Sequence, residues 1–151
     1  MKKVILLFLG VSITSAIIFS CTKNSDNTPT TNYSYISQGP WVMSHFWSKT
    51  SVDSPWVLLD TTISVCKKDN VTTFNNNSRF TVDEGKIKCD TTKYAPQILL
   101  SGTWSLQNNQ STLVTGSALG SQTYTIEILN SSQLQISYQD ATRFYRELYT
   151  H

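Results

Sequence analysis

Three cysteines, Cys21, Cys66 and Cys89, are the residues in this chain with the widest choice of chemistry. A thiol can carry a lipid, form a crosslink, hold a metal or act as a nucleophile. A structural metal site gathers four ligands, commonly as pairs at short spacing. Cys66 and Cys89 each stand alone, and the two histidines, His45 and His151, are distant from both in sequence. No metal and no cofactor is expected. A Ser-His-Asp arrangement needs an internal histidine as its base. His45 is the one internal candidate, and no G-x-S-x-G elbow accompanies it. Asp83 and Glu84 are adjacent carboxylates just before Gly85. Paired-carboxylate catalysis needs two groups facing across a site, roughly 5–9 Å apart, so a turn is the better expectation here. No Gly-rich phosphate loop is present. The chain is expected not to be an enzyme.

Cys21 is set apart by what precedes it. Lys2 and Lys3 form a positive start, and residues 4–19 are uncharged and mostly apolar. The run falls short of the about 20 residues that span a bilayer and fits a secretory leader. Ile18-Phe19-Ser20-Cys21 then resembles a bacterial lipoprotein processing site, with a small residue directly before the thiol. That resemblance implies a diacylglycerol group on the Cys21 sulfur, cleavage of residues 1–20, and acylation of the new amine, with palmitate among the lipids attached. Two or three acyl chains hold a protein stably, where one binds marginally. The expected location is the bacterial cell envelope, anchored through acylated Cys21 at the outer membrane of a Gram-negative cell.

Loss of the leader removes Lys2 and Lys3 and leaves ten basic against ten acidic side chains. A neutral mature chain gives no reason to expect a nucleic-acid partner. Its length suits one domain with a real core. With Cys21 lipidated, Cys66 and Cys89 remain as an even pair in an oxidising compartment, which favours a disulfide over two buried free thiols.

Residues 21–38 are rich in Thr, Ser and Asn and are expected to be a flexible tether. From residue 39 onward, Asn, Ser, Thr and Gly clusters separate short runs of β-branched and aromatic residues. That texture predicts an all-β domain over 39–151. Residues 133–138 alternate cleanly, with Leu134, Ile136 and Tyr138 on one face. Residues 123–129 place Tyr124, Ile126 and Ile128 together, and residues 41–47 do the same for Trp41, Met43, His45 and Trp47. Polar clusters at 75–78, 107–110 and 130–132 predict hairpin turns. About eight strands without a long amphipathic helix fit an antiparallel up-and-down barrel, which leaves no open edge.

Gly39-Pro40-Trp41 opens this region as a G-x-W signature. Cys66-Lys67-Lys68-Asp69, Phe74, Asp83-Glu84-Gly85, Cys89-Asp90 and Gly102-Thr103-Trp104-Ser105-Leu106 follow. Together they resemble the bacterial lipocalin-like domain family, over roughly residues 39–149. The resemblance implies an eight-stranded barrel closed at one end. It also implies that Trp41 plugs the closed end, that Cys66 pairs with Cys89, and that Arg146 or Arg143 lies over Trp41 by cation–π contact. Gly39, Gly102 and Trp104 are the remaining structural positions it marks.

A lipid-anchored barrel holding a small hydrophobic ligand is the first functional expectation. Trp47, Phe74, Phe80, Tyr124 and Tyr138 are the candidate lining. The alternative is a monomeric interaction or inhibitor module that meets an envelope protein through loops at 75–78, 91–96 and 116–121, with no cavity.

Overall fold

The computed structural model describes residues 31–92 and 95–151. Cys21, the leader and residues 21–30 of the expected tether lie outside the described residues. Nine strands follow in chain order: β1 Trp41–Lys49, β2 Val57–Leu58, β3 Val71–Asn75, β4 Arg79–Asp83, β5 Ile98–Gln107, β6 Thr112–Ser117, β7 Gly120–Leu129, β8 Gln133–Gln139 and β9 Phe144–Thr150. Two short helices, α1 Asn32–Ile36 and α2 Val65–Lys68, and a single 3-10 turn at Asp60–Thr62 complete them.

Sequential strands pair antiparallel from β3 through β9, and β1 joins β3 on one side and β9 on the other. The result is a closed eight-stranded up-and-down barrel. β2 is a ninth, accessory strand paired to β1 outside the ring, with Trp47 opposite Leu58. The predicted hairpins at 75–78, 107–110 and 130–132 all form. Their polar residues accept the backbone that tight turns require: Ser78 has φ 62°, and Asn108, Asn109 and Gln110 have φ 49°, 54° and 65°.

Two bulges set which side chains face inward. One lies between Met43 and His45 in the β1–β9 ladder. Ser44 is the extra residue, and its hydroxyl donates to the Leu148 carbonyl at 3.0 Å. An inserted residue reverses the alternation beyond it. Trp41 is fully buried and Ser48 is buried, whereas His45 is exposed. The second bulge lies between Ile126 and Ile128, so Ile128 turns outward and is 39% exposed. The expected common faces Trp41-Met43-His45-Trp47 and Tyr124-Ile126-Ile128 are each broken at their bulge.

One end of the barrel is closed by α1. Thr31 caps the helix. The Asn32 side chain donates to the Gln110 carbonyl at 2.9 Å, and the Tyr33 hydroxyl donates to the Asn76 carbonyl at 2.8 Å. Ile36 is completely buried beneath it. The expected tether therefore runs too far: by residue 32 the chain is part of the domain, because Tyr33 and Ile36 are the apolar groups that cover the barrel floor. Cys66 and Cys89 form a disulfide that ties α2 to the segment after β4 across 23 positions. A loop of that size contributes about 3 kcal/mol in the chain-entropy view.

Trp104 packs at the same end, stacked on Tyr33 at 4.9 Å and edge-on to Phe74 at 5.5 Å. Its indole N–H donates to the Asn75 carbonyl at 3.0 Å. Two residues earlier, a Cβ on Gly102 would fall 2.0 Å from the Gly116 carbonyl oxygen and 2.7 Å from the Phe80 ring. Here β5 and β6 approach too closely for any side chain. Gly102→Ala is expected to cost about 1–3 kcal/mol by overpacking. The measurement is a lower urea midpoint at unchanged slope, and an unchanged midpoint would show that the contact yields freely.

Candidate functional site

The inward faces of β3 to β9 surround a cavity of about 370 Å³ that opens at the end opposite α1. Ligand pockets commonly measure roughly 300–1,000 Å³, so the space admits one small molecule. Trp41 and Phe74 form its floor. Phe80, Leu113, Leu134 and Ile136 form apolar walls, and Ser117, Leu119 and Gln122 ring the mouth. The floor half is packed solid, with Trp104 2% and Leu113 1% exposed. The mouth half is open. Four expected lining residues, Phe74, Phe80, Tyr124 and Tyr138, do line this space.

Trp47 does not. The Ser44 bulge places it on the outer wall, opposite Leu58 and Arg146, with its ring 5.4 Å from that of His45. His45 is engaged on the same outer face, its Nδ1 2.6 Å from the Asp60 carboxylate. Asp60 also accepts the Phe46 amide N–H at 2.9 Å.

Arg146 also departs from expectation. It shares the outward parity of β9, where its guanidinium lies 4.2 Å above Trp56 and its Nε is 2.7 Å from Glu127. Arg143 precedes β9 at the open end, the length of a strand away from Trp41. Trp41 is covered instead by α1 and His151. Its indole N–H donates to the Ile36 carbonyl at 2.8 Å, and the His151 ring lies 3.9 Å from it. Gly39 leaves room for that imidazole, since a Cβ there would sit 3.2 Å from the ring. His151 Nδ1–H donates to the Pro40 carbonyl at 2.9 Å. A cation–π lid is thus replaced by an imidazole packed at a tilt against the indole.

The polar feature of the interior lies on the inward face of β9. Glu147 stands directly opposite Phe46 and Ile136. The Tyr138 hydroxyl donates to one of its carboxylate oxygens at 3.0 Å, and the Tyr149 hydroxyl donates to the other. Tyr138 and Tyr149 both face the cavity. Burial pushes the Glu147 carboxyl above its ordinary range, against the two tyrosine hydrogen bonds that favour its charge. Glu147 is itself only partly exposed and sits behind the two tyrosines rather than in the cavity lining. Burial, aided by the Glu147 charge, likewise raises Tyr124, Tyr138 and Tyr149, so all three remain protonated at neutral pH.

Glu147 and Tyr149 were not among the expected lining residues, although the alternation Tyr145-Glu147-Tyr149 places them on one face. The missing signal was which face turns inward. The cue was available in the facing strand: Leu134 and Ile136 can only be interior, and they stand opposite Tyr149 and Glu147. The three candidate loops do not share an end either. The turn at 76–78 meets α1 at the closed floor, whereas the β6–β7 turn lies at the mouth.

No family model matches the chain, and a search of curated proteins finds no match. Among solved structures, a lipocalin-like protein from Bacteroides uniformis is similar at 12% identity and a TM-score of 0.48, over 76% of this chain and 97% of that one.

The raised Glu147 carboxyl has a definite pH consequence. Its folded form binds the proton more tightly than the unfolded chain does. Stability should therefore fall as pH rises above the ordinary glutamate value of 4.5. Asp60, Asp90, Glu127 and Asp140 are held below their ordinary values, so their contribution is lost only on acidification below that window. Glu147→Gln is expected to abolish the fall and to leave the barrel more stable at neutral pH. Urea unfolding across the weakly acidic to neutral range checks this, and an unchanged slope would locate the effect elsewhere.

Proposed function

We propose that this chain is a lipid-anchored, lipocalin-like envelope protein whose barrel binds one small, largely apolar molecule. The observation that carries the binding half is the cavity of about 370 Å³, floored by Trp41 and Phe74 and open at one end. A barrel that served only as a rigid platform would gain stability by filling that space. The function is non-catalytic: His45, the one internal histidine, is occupied by Asp60 on the outer wall. Closure of β9 on β1 leaves only the two-residue β2 with a free edge among the described strands, which supports a monomer.

The test is titration of the full chain with the neutral fluorophore N-phenyl-1-naphthylamine, with native mass spectrometry for stoichiometry. Saturable one-to-one binding is expected. Thr115 lines the cavity, and Thr115→Trp should weaken binding at least about tenfold by filling the space. Absence of saturable binding, or indifference to that substitution, would sink the proposal.

The anchoring half rests on Ile18-Phe19-Ser20-Cys21 and the apolar run before it. Metabolic labelling with an alkyne fatty acid should mark the wild-type chain, and Cys21→Ser should remove the label and release the protein from membranes. Persisting label would place the lipid elsewhere.

The interaction-module alternative has one observation in its favour. Leu119 at the mouth is 87% exposed, and Ile98 at the open end of β5 is 53% exposed. An envelope partner captured equally by wild type and Thr115→Trp, with no probe bound by either, would favour it.

A further inference from the structure

The cavity wall itself is uncharged, and one acidic group, Glu147, stands directly behind it, held by the lining residues Tyr138 and Tyr149. Among the described residues, none of those lining the cavity is Lys, Arg or His. The ion pairs among the described residues lie elsewhere: Glu127 with Arg146 outside, Glu84 with Lys88, and Asp60 with His45. Glu147 has hydrogen bonds but, among the described residues, no counter-charge. The groups facing it are Tyr138 and Ile136 from β8, Tyr149 from β9, and Phe46 from β1, with Tyr124 of β7 nearby.

The direction of those hydrogen bonds matters. Tyr138 and Tyr149 each give their single proton to Glu147, one to each oxygen. A hydroxyl whose proton is committed offers only lone pairs to anything else. The cavity therefore meets a guest with two phenolic acceptors backed by a carboxylate. Aromatic faces at Trp41, Phe74 and Tyr124 add the negative face of their quadrupoles. At the Glu147 end of the cavity the polar groups favour a donor or a positive charge and oppose an anion.

We propose that the barrel selects an amphipathic amine: an aromatic or apolar body seated on Trp41 and Phe74, with its ammonium group turned toward Tyr138, Tyr149 and Glu147. This rests on the cavity binding proposed above and specifies its ligand class. A guest ammonium would supply the counter-charge that Glu147 lacks. A fatty-acid carboxylate would be repelled at the same position. The elevated Glu147 carboxyl agrees with a charge that the protein alone leaves uncompensated.

The test uses three probes that share an indole ring: tryptamine, tryptophol and indole-3-acetate. Each is titrated by calorimetry into the full chain in non-ionic detergent at neutral pH, with detergent alone as blank. Tryptamine is expected to bind at least about tenfold more tightly than indole-3-acetate, with tryptophol between them. In Glu147→Gln the amine should fall to the affinity of tryptophol, while a far-ultraviolet circular dichroism spectrum matching wild type reports an intact barrel. If that variant does not fold, the wild-type ranking decides alone. Equal affinity for the three probes, or tighter binding of indole-3-acetate, overturns the amine assignment and leaves the cavity reading standing. Failure of all three probes and of N-phenyl-1-naphthylamine overturns both.

Discussion

Seven residue pairs join β9 to β1, from Val42 opposite Thr150 to Lys49 opposite Phe144, and they turn a meander into a closed wall. The other edge of β1 is divided, two pairs to β3 and two to β2. Closure therefore depends chiefly on the β1–β9 ladder. An open version would expose two long strands with unpaired amides and carbonyls. Within that ladder the Ser44 bulge fixes the parity of β1 beyond it. Without the inserted residue, Trp47 and His45 would turn into the barrel and Phe46 and Ser48 out of it. The same bulge keeps Phe46 opposite Glu147.

The inward parity of β9 gives the interior a graded character. Tyr145 lies at the mouth, where its hydroxyl donates to Asp140 at 3.0 Å. Glu147 and Tyr149 come next, and His151 continues the parity to the floor against Trp41. The carboxylate and its two tyrosine partners thus form one stripe, while Phe80 and Leu113 on the opposing walls are apolar and Thr72 and Thr115 add isolated hydroxyls. A stripe of this kind orients a guest, whereas a uniform apolar lining would only retain it. The outward parity of the same strand is used differently. Arg146 pairs with Glu127 and covers Trp56, which also receives Lys49 at 4.9 Å.

Much of the architecture was legible because its signals are local. Asn75 to Ser78 and Gln107 to Gln110 read as turns because short polar side chains tolerate the left-handed backbone that the turns use. Leu134, Ile136 and Tyr138 read as one face because no bulge interrupts β8. The failures were at features that no single strand specifies. A bulge at Ser44 depends on the partner strand, so Trp47 was placed inside. The choice between Arg146 and His151 as cover for Trp41 depends on the parity of β9 at closure. Helix α1 is a single turn, and its stability comes from Gln110 and Asn76 far along the chain. The candidate site was half visible: its aromatic lining followed from composition and alternation. Its carboxylate did not, since nothing in Arg146-Glu147-Leu148 itself says which side chain is sequestered.

The position of α1 carries one more implication. The chain enters the domain through the floor, where Ile36 and Trp41 are sealed together by a hydrogen bond. Whatever grips the protein by the segment before Thr31 therefore holds the vessel by its base. The rim formed by Ser117, Leu119 and Gln122 points away from that attachment. Under the proposed anchoring and binding, a guest would load and leave at the free end, away from the point of suspension.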